Sequence, residues 1–231
     1  MILHQHKLIF IHIPKCAGSS IRDHFFNKPS LDWKEANYEL LYGWCPKRRI
    51  HLQHATSKQL LESGLISKKT WNEYFKFTIV RNPFDRAYSD YLWIQKDRNI
   101  QGSFEDYILK QGQFKKFLVR NDNMSYRGDH LFEQTSFFDV EEGPYKMDFV
   151  GRFECLEDVV KKVSNKIGFS EPFKSHAKKN KKRKNHYSLF YNAKRKKLVE
   201  TVFKNDLELL EYSFENRSSK FQKLFKCLFT S

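Results

Sequence analysis

The sequence is poor in the residues that staple or ligate. Four cysteines, Cys16, Cys45, Cys155 and Cys227, are scattered over 231 residues, with no C-x-x-C pair and no Cys/His group at zinc-finger spacing. That argues against a structural metal, and no metal is expected. No apolar run approaches the roughly 20 residues that span a bilayer; the segment from Leu8 to Ile13 is far too short. Nothing at the N-terminus resembles a signal peptide or anchor, so the chain reads as a cytoplasmic microbial protein, or as the soluble part of a membrane-anchored one. Internal repeats are absent. Only the basic run near Lys178 is biased enough in composition to be a disordered linker. The GxxxxGK[ST] loop of nucleoside triphosphatases is also missing, which removes a magnesium triphosphate as the obvious ligand.

What remains describes one catalytic-sized unit. At 231 residues and 40% hydrophobic content the chain can bury one sizeable core, so a single domain over 1–231 is expected. A formal charge of +15 gives the surface a field that attracts nucleic acid, anionic lipid, polyanionic sugar or phosphorylated small molecules without choosing among them.

Lys7 to Ile13 has strand composition and is stopped by Pro14; Gly18, Ser19 and Ser20 then lead into a helix through Phe26. The same shape recurs at Phe75 to Val80, followed by Arg81, Asn82 and Pro83, with the proline in the first turn of a helix toward Trp93. A third strand is expected at Met147 to Arg152, then a helix from about Glu157 to Ile167 with Val159, Val160 and Val163 on one face. One long amphipathic helix is expected from Ala193 to Leu210. Strands alternating with helices predict an α/β, P-loop-like domain with a central, mostly parallel sheet flanked by helices. Ligands of such sheets sit beyond the carboxyl ends of the strands, where Lys15 and Arg81 both fall. Residues 98–144 have weak periodicity and are assigned to loops and short helices over the acceptor side.

Two motifs carry the chemistry. His12-Ile-Pro-Lys-Cys-Ala-Gly-Ser-Ser20 offers backbone N–H groups of a tight turn and helix start, plus a lysine and hydroxyls, to an anion. In Thr78-Ile-Val-Arg-Asn-Pro-Phe-Asp-Arg-Ala-Tyr-Ser-Asp-Tyr91, Arg81 can fork onto a phosphate and Ser89 can add a hydroxyl; Arg86, Asp85 and Asp90 read as structural ion pairs.

Together these motifs resemble the carbohydrate sulfotransferases that use 3′-phosphoadenosine 5′-phosphosulfate (PAPS), including the heparan-sulfate O-sulfotransferases and bacterial relatives. The resemblance implies that Lys15, Cys16, Ala17, Gly18, Ser19 and Ser20 hold the 5′-phosphosulfate, and that Arg81 and Ser89 hold the 3′-phosphate. Where the family has Thr-Gly-Gly-Thr-Ser, this chain has Cys16-Ala17-Gly18-Ser19-Ser20, and Ala17 tolerates a left-handed backbone less well than glycine. Phe149 to Glu154, Leu156-Glu157-Asp158 and the stretch from His176 to Tyr187 also look like family segments, which assigns Lys182 and Arg183, with Asn180, to the nucleotide. The basic run from Lys178 to Lys184 reads equally as a solvated loop.

The family's general base is a histidine in a short segment at this point of the chain. His54-Ala55-Thr56 matches it, with His51 as runner-up. The expected reaction is transfer of a sulfuryl group to a hydroxyl, on a carbohydrate or a polyanionic glycan, with no nucleic-acid partner. Two rivals stand beside it: a nucleotide kinase-like phosphotransferase and a basic nucleic-acid-binding module.

Overall fold

A computed structural model describes residues 1–26, 31–173 and 186–216. In chain order these carry β1 (Ile2–Leu3), β2 (Leu8–Ile11), α1 (Gly18–Phe25), β3 (Trp44–Cys45), β4 (Ile50–His51), α2 (Ser57–Glu62), α3 (Lys68–Glu73) and β5 (Phe75–Val80). There follow α4 (Pro83–Arg98), α5 (Phe104–Ile108), α6 (Lys115–Leu118), β6 (Phe149–Arg152), α7 (Leu156–Ile167), α8 (Ala193–Val202) and α9 (Lys204–Leu209).

The main sheet runs in the order β1-β2-β5-β6. β2 pairs parallel with β5, and β5 with β6; only the edge strand β1 is antiparallel. This is the α/β architecture with a mostly parallel sheet and flanking helices that the alternation of elements predicts. Its physical cause is visible in β2, where Leu8, Ile9, Phe10 and Ile11 are all inaccessible to solvent. A strand apolar on both faces needs cover on both, which parallel strands with crossover helices provide. Phe10 of β2 lies beside Phe77 of β5 in register, with ring centroids 4.7 Å apart.

Helix boundaries follow local chemistry. The Asn82 side chain accepts from the Phe84 N–H at 3.1 Å and Pro83 opens α4, as its fixed φ suits. In α7, Val159, Val160 and Val163 are buried, and Gly168 closes the helix in the left-handed conformation. The region 98–144 folds as α5, α6 and 3-10 turns at Gly112–Phe114, Gly128–Leu131 and Gln134–Ser136.

The expected long helix from Ala193 to Leu210 is instead two, α8 and α9, broken at Phe203 (φ −116°, ψ 39°). Periodicity is overridden there by anchoring. Phe203 is buried in a second core with Phe84, Phe104 and Tyr107, and the buried Asp206 carboxylate accepts from Thr135 N–H at 2.9 Å.

Candidate active site

The carboxyl ends of β2 and β5 release two turns, and the structure joins them. After β2, Lys15 (φ 67°) and Ala17 (φ 62°) both take the left-handed conformation, so the chain reverses sharply into α1. The first helical bond runs from Ile21 N–H to the Ala17 carbonyl at 3.0 Å. Helix geometry therefore leaves the N–H groups of Gly18, Ser19 and Ser20 without helical partners, beside the positive end of the helix dipole. Gly18 is required for close approach: a Cβ there would lie 1.7 Å from His12 Nε2.

Cys16 faces the other way. Its thiol is buried against Gln134 Oε1 at 3.4 Å, its N–H is spent on the Ile13 carbonyl, and burial pushes its pKa up to about 12. It is an inert anchor of the loop.

After β5, Arg81 sends Nε and Nη2 to Asp85 Oδ2 at 2.9 and 2.6 Å, and Nη1 to the Lys15 carbonyl at 2.9 Å. It is only 6% exposed and stacks 4.1 Å from the Phe153 ring, just beyond β6. Arg86 is buried and donates to the carbonyls of Pro14, Phe132 and His130 at 3.1, 2.9 and 2.9 Å. In place of the pairing of Arg86 with Asp85 or Asp90 expected from the sequence, the structure pairs Arg81 with Asp85, Arg86 with Asp206 at 3.9 Å, and Asp90 with His130 at 2.8 Å. Ser89 lies half-buried on α4. Lys182 and Arg183, with the rest of the basic run, lie outside the described residues.

A family profile described as Sulfotransferase family matches residues 1–213. The chain belongs to the sulfotransferase family. An uncharacterized protein from Archaeoglobus fulgidus is 27% identical over 107 residues, which is 46% of this chain and 78% of that protein. A sulfotransferase crystal structure from Alicyclobacillus acidocaldarius superposes with a TM-score of 0.47 at 14% identity, over 89% of this chain and 94% of that one. Membership makes the protein a transferase of sulfuryl groups.

Next to the Lys15 turn of this sulfotransferase stand four histidines. The rings of His12, His51 and His130 lie 4.6, 6.5 and 5.3 Å from that of His54. His54 is half-buried, and its Nδ1 lies 3.2 Å from the His12 carbonyl. A carbonyl only accepts, so Nδ1 carries the hydrogen and the neutral ring keeps its lone pair on Nε2. Burial first, then the positive charges that His12, His130 and His51 would carry, hold the His54 pKa well below the ordinary histidine value.

His51 is arranged differently. Its Nε2 lies 2.7 Å from Arg127 Nη1 and 3.2 Å from the Met124 carbonyl, and Arg127 Nη1 also donates to the carbonyls of Met124 and Tyr126 at 2.9 and 2.5 Å. Burial and the Arg127 charge lower its pKa to about 3.

Lys15 Nζ lies 5.0 Å from the Trp93 ring, and Trp93 stacks on His130 at 4.8 Å. Lysine, tryptophan and the histidine pair thus form one continuous wall. Burial lowers the Lys15 pKa, partly offset by Asp90. Asp90 is buried, which alone would raise its pKa, yet the His130 contact, the Lys15 charge and the Tyr107 hydroxyl at 2.6 Å outweigh burial and keep it ionised. Arg127 sits between the rings of Trp33 and Trp93 at 5.2 and 5.9 Å.

Several of these residues escape sequence reasoning. Gln134 is the hub: Oε1 accepts from Arg81 N–H at 2.8 Å, while Nε2 donates to the Arg81 carbonyl and to Asp206 at 2.9 and 3.2 Å. Asp129, His130, Arg127 and Gln134 all come from the stretch with weak periodicity, where the one signal is the polar group Arg127, Asp129 and His130 ahead of an apolar Leu131-Phe132. His54, Asp129 and His130 bring one nitrogen or oxygen each within 4.8 Å of one another, the one group among the described residues with a metal-compatible donor set.

Proposed function

We propose that this sulfotransferase moves the sulfuryl group of PAPS onto a hydroxyl of a carbohydrate, with His54 as the general base. The observation that carries the reading is the hydrogen bond from His54 Nδ1 to the carbonyl of His12, three residues before Lys15. It ties a histidine with a free Nε2 lone pair to the same loop that would hold the donor.

In this reaction the acceptor oxygen forms a bond to sulfur as the bond from sulfur to the bridging phosphate oxygen breaks. The acceptor proton passes to His54 Nε2. Lys15 and the N–H groups of Gly18, Ser19 and Ser20 stabilise the charge that gathers on the departing phosphate, the kind of preorganised electrostatics that dominates group transfer. Arg81 and Ser89 would take the 3′-phosphate, and Lys182 and Arg183 would bind the nucleotide. His51 is the weaker candidate for the base, because its Nε2 is enclosed by Arg127 and the Met124 carbonyl and its Nδ1 is buried away from an acceptor hydroxyl.

For the acceptor, Trp33 offers an aromatic surface to a sugar ring, and the +15 formal charge favours an anionic glycan. Trp33 is 36% exposed, enough to be reached from solvent.

Calorimetric titration with adenosine 3′,5′-bisphosphate against adenosine monophosphate tests the donor, and sulfate transfer from labelled PAPS to neutral and anionic glycans tests the acceptor. Clear preference for the bisphosphate and label on a glycan are expected. Equal affinity for the two nucleotides overturns PAPS as donor; magnesium-dependent nucleotide binding would favour a phosphotransferase instead.

A further inference from the structure

The proposed reaction uses one histidine of the four, and leaves an anomaly beside it. Asp129 is 6% exposed, and its Oδ1 is buried with no hydrogen-bond partner. A buried carboxylate oxygen without a donor is costly and calls for a cation, a water or a ligand. Asp129 has neighbours suited to a cation. His54 Nδ1 gives its hydrogen to the His12 carbonyl at 3.2 Å, and His130 Nδ1 gives its hydrogen to Asp90 Oδ1 at 2.8 Å. Asp90 is fixed in turn by the Tyr107 hydroxyl at 2.6 Å. Metal-bound histidines show this same arrangement, one nitrogen on the ion and the other donating to a carbonyl or carboxylate.

We propose that His54, Asp129 and His130 form a binding site for a divalent transition metal ion of the zinc type. Two imidazole nitrogens and one carboxylate oxygen make a donor set that zinc accepts with a fourth position open. The donor atoms lie within 4.8 Å of one another, and four-coordinate zinc needs them about 3.4 Å apart, a gap that side-chain rotation covers. Asp129 and Asp90 offset the positive charges of Lys15 and Arg127, so the pocket is not prohibitively cationic. Nitrogen donors select against magnesium and calcium, which prefer all-oxygen shells.

The site has a functional consequence that rests on the general-base reading. The ion would occupy the lone pair that His54 needs to take the acceptor proton. Zinc is therefore a reversible inhibitor of sulfuryl transfer, and a chelator restores activity.

The test is calorimetric titration of chelator-stripped full-length protein with zinc chloride, paired with optical spectra of the cobalt(II) form. One equivalent should bind, without competition from magnesium, and Asp129→Asn and Asp90→Asn should each weaken it by about ten- to a hundredfold. Cobalt should show visible d–d bands and no thiolate charge-transfer band. The absence of saturable zinc binding, an affinity unchanged in both Asp129→Asn and His130→Gln, or a thiolate band would each overturn the site. Asp129→Asn keeps the side chain's shape, so the test survives if His130→Gln folds poorly. Stoichiometric binding without inhibition upholds the site and overturns His54 as the base, so the two readings fail separately.

Discussion

Nη1 of Arg81 donates to the main-chain carbonyl of Lys15 at 2.9 Å, so the two turns at the strand ends are one hydrogen-bonded unit. The other edge of the Arg81 fork is held by Asp85. A phosphate arriving at Arg81 would have to compete with that carboxylate, whose ion pair is screened little at a buried position.

Two substitutions separate the ligand role of Arg81 from its loop role. Arg81→Ala should weaken the 3′,5′-bisphosphate more than the monophosphate, by about 1.5–3 kcal/mol for a charge-assisted contact. Asp85→Asn should tighten the bisphosphate, because it removes the competing charge. If Arg81→Ala weakens both nucleotides equally, Arg81 serves the Lys15 loop alone. Calorimetry on the two variants measures both.

Gly18→Ala should disable the enzyme through His12. The added methyl would meet the His12 ring at 1.7 to 2.3 Å, and that ring is held by stacking on Phe10 with centroids 5.5 Å apart. Displacing His12 moves the carbonyl that orients His54, and a misplacement of about 1 Å can cost on the order of a hundredfold in turnover. Wild-type turnover in a folded Gly18→Ala protein would remove His12 from the positioning scheme.

Ala17→Gly should act in the opposite sense on stability. Ala17 caps α1 at φ 62°, a left-handed backbone that costs a side-chain-bearing residue about 1–2 kcal/mol. Glycine removes that strain and gives back some of it as unfolded-chain entropy. A net gain of about 0.5–1 kcal/mol in urea unfolding is expected, and a loss would mean that the alanine methyl makes a contact worth more than the strain.

The parts of this fold that were legible in the sequence are those where local chemistry and tertiary packing agree. The β2-loop-α1 unit is marked by an apolar run, Pro14 and the small residues from Ala17 to Ser20, and both turns fall where a parallel sheet delivers its ligands. Phe203 shows the limit: helical periodicity continues through it, but burial of Phe203 and Asp206 breaks the helix in two. Cys16 reads as a member of an anion loop by position, yet its thiol points into the core toward Gln134, a partner 118 residues away. The group at His54, Asp129 and His130 was illegible for the same reason. Metal motifs are recognised by short spacing, and these donors meet only because the Gly128–Leu131 turn is carried to the His54 segment by tertiary structure.

With His54 as the proposed general base, His54→Ala should reduce turnover by about a hundredfold to ten-thousandfold while leaving nucleotide affinity near wild type. His51→Ala should instead cost stability, because it removes a buried ring packed 5.0 Å from Trp44 and leaves a cavity. Steady-state kinetics and urea unfolding on both variants distinguish the two. Comparable loss of turnover without loss of stability in His51→Ala would reverse the assignment.

Stability in acid follows from the same histidines. Burial first and neighbouring charges second hold both His12 and His54 well below the ordinary histidine pKa, which is about 6.5 in the unfolded chain. As pH falls through 6.5 the unfolded chain takes up protons that the folded chain refuses, so the free energy of unfolding falls with it. Each histidine contributes at most about 1.4 kcal/mol per pH unit below 6.5, and solvent reaching the half-buried rings reduces that figure. Asp129 works against the trend, because burial raises its pKa and the folded state then takes up a proton more readily than the unfolded one. Its uptake begins above the ordinary carboxylate value and opposes the histidines, so the acid loss is the difference between two histidines and one carboxyl. Urea unfolding in the presence of a chelator should therefore show a lower midpoint at pH 5 than at pH 7.5, with a shallower slope in His54→Gln. A midpoint that is flat across this window would mean that the pocket opens and hydrates its histidines before the protein unfolds.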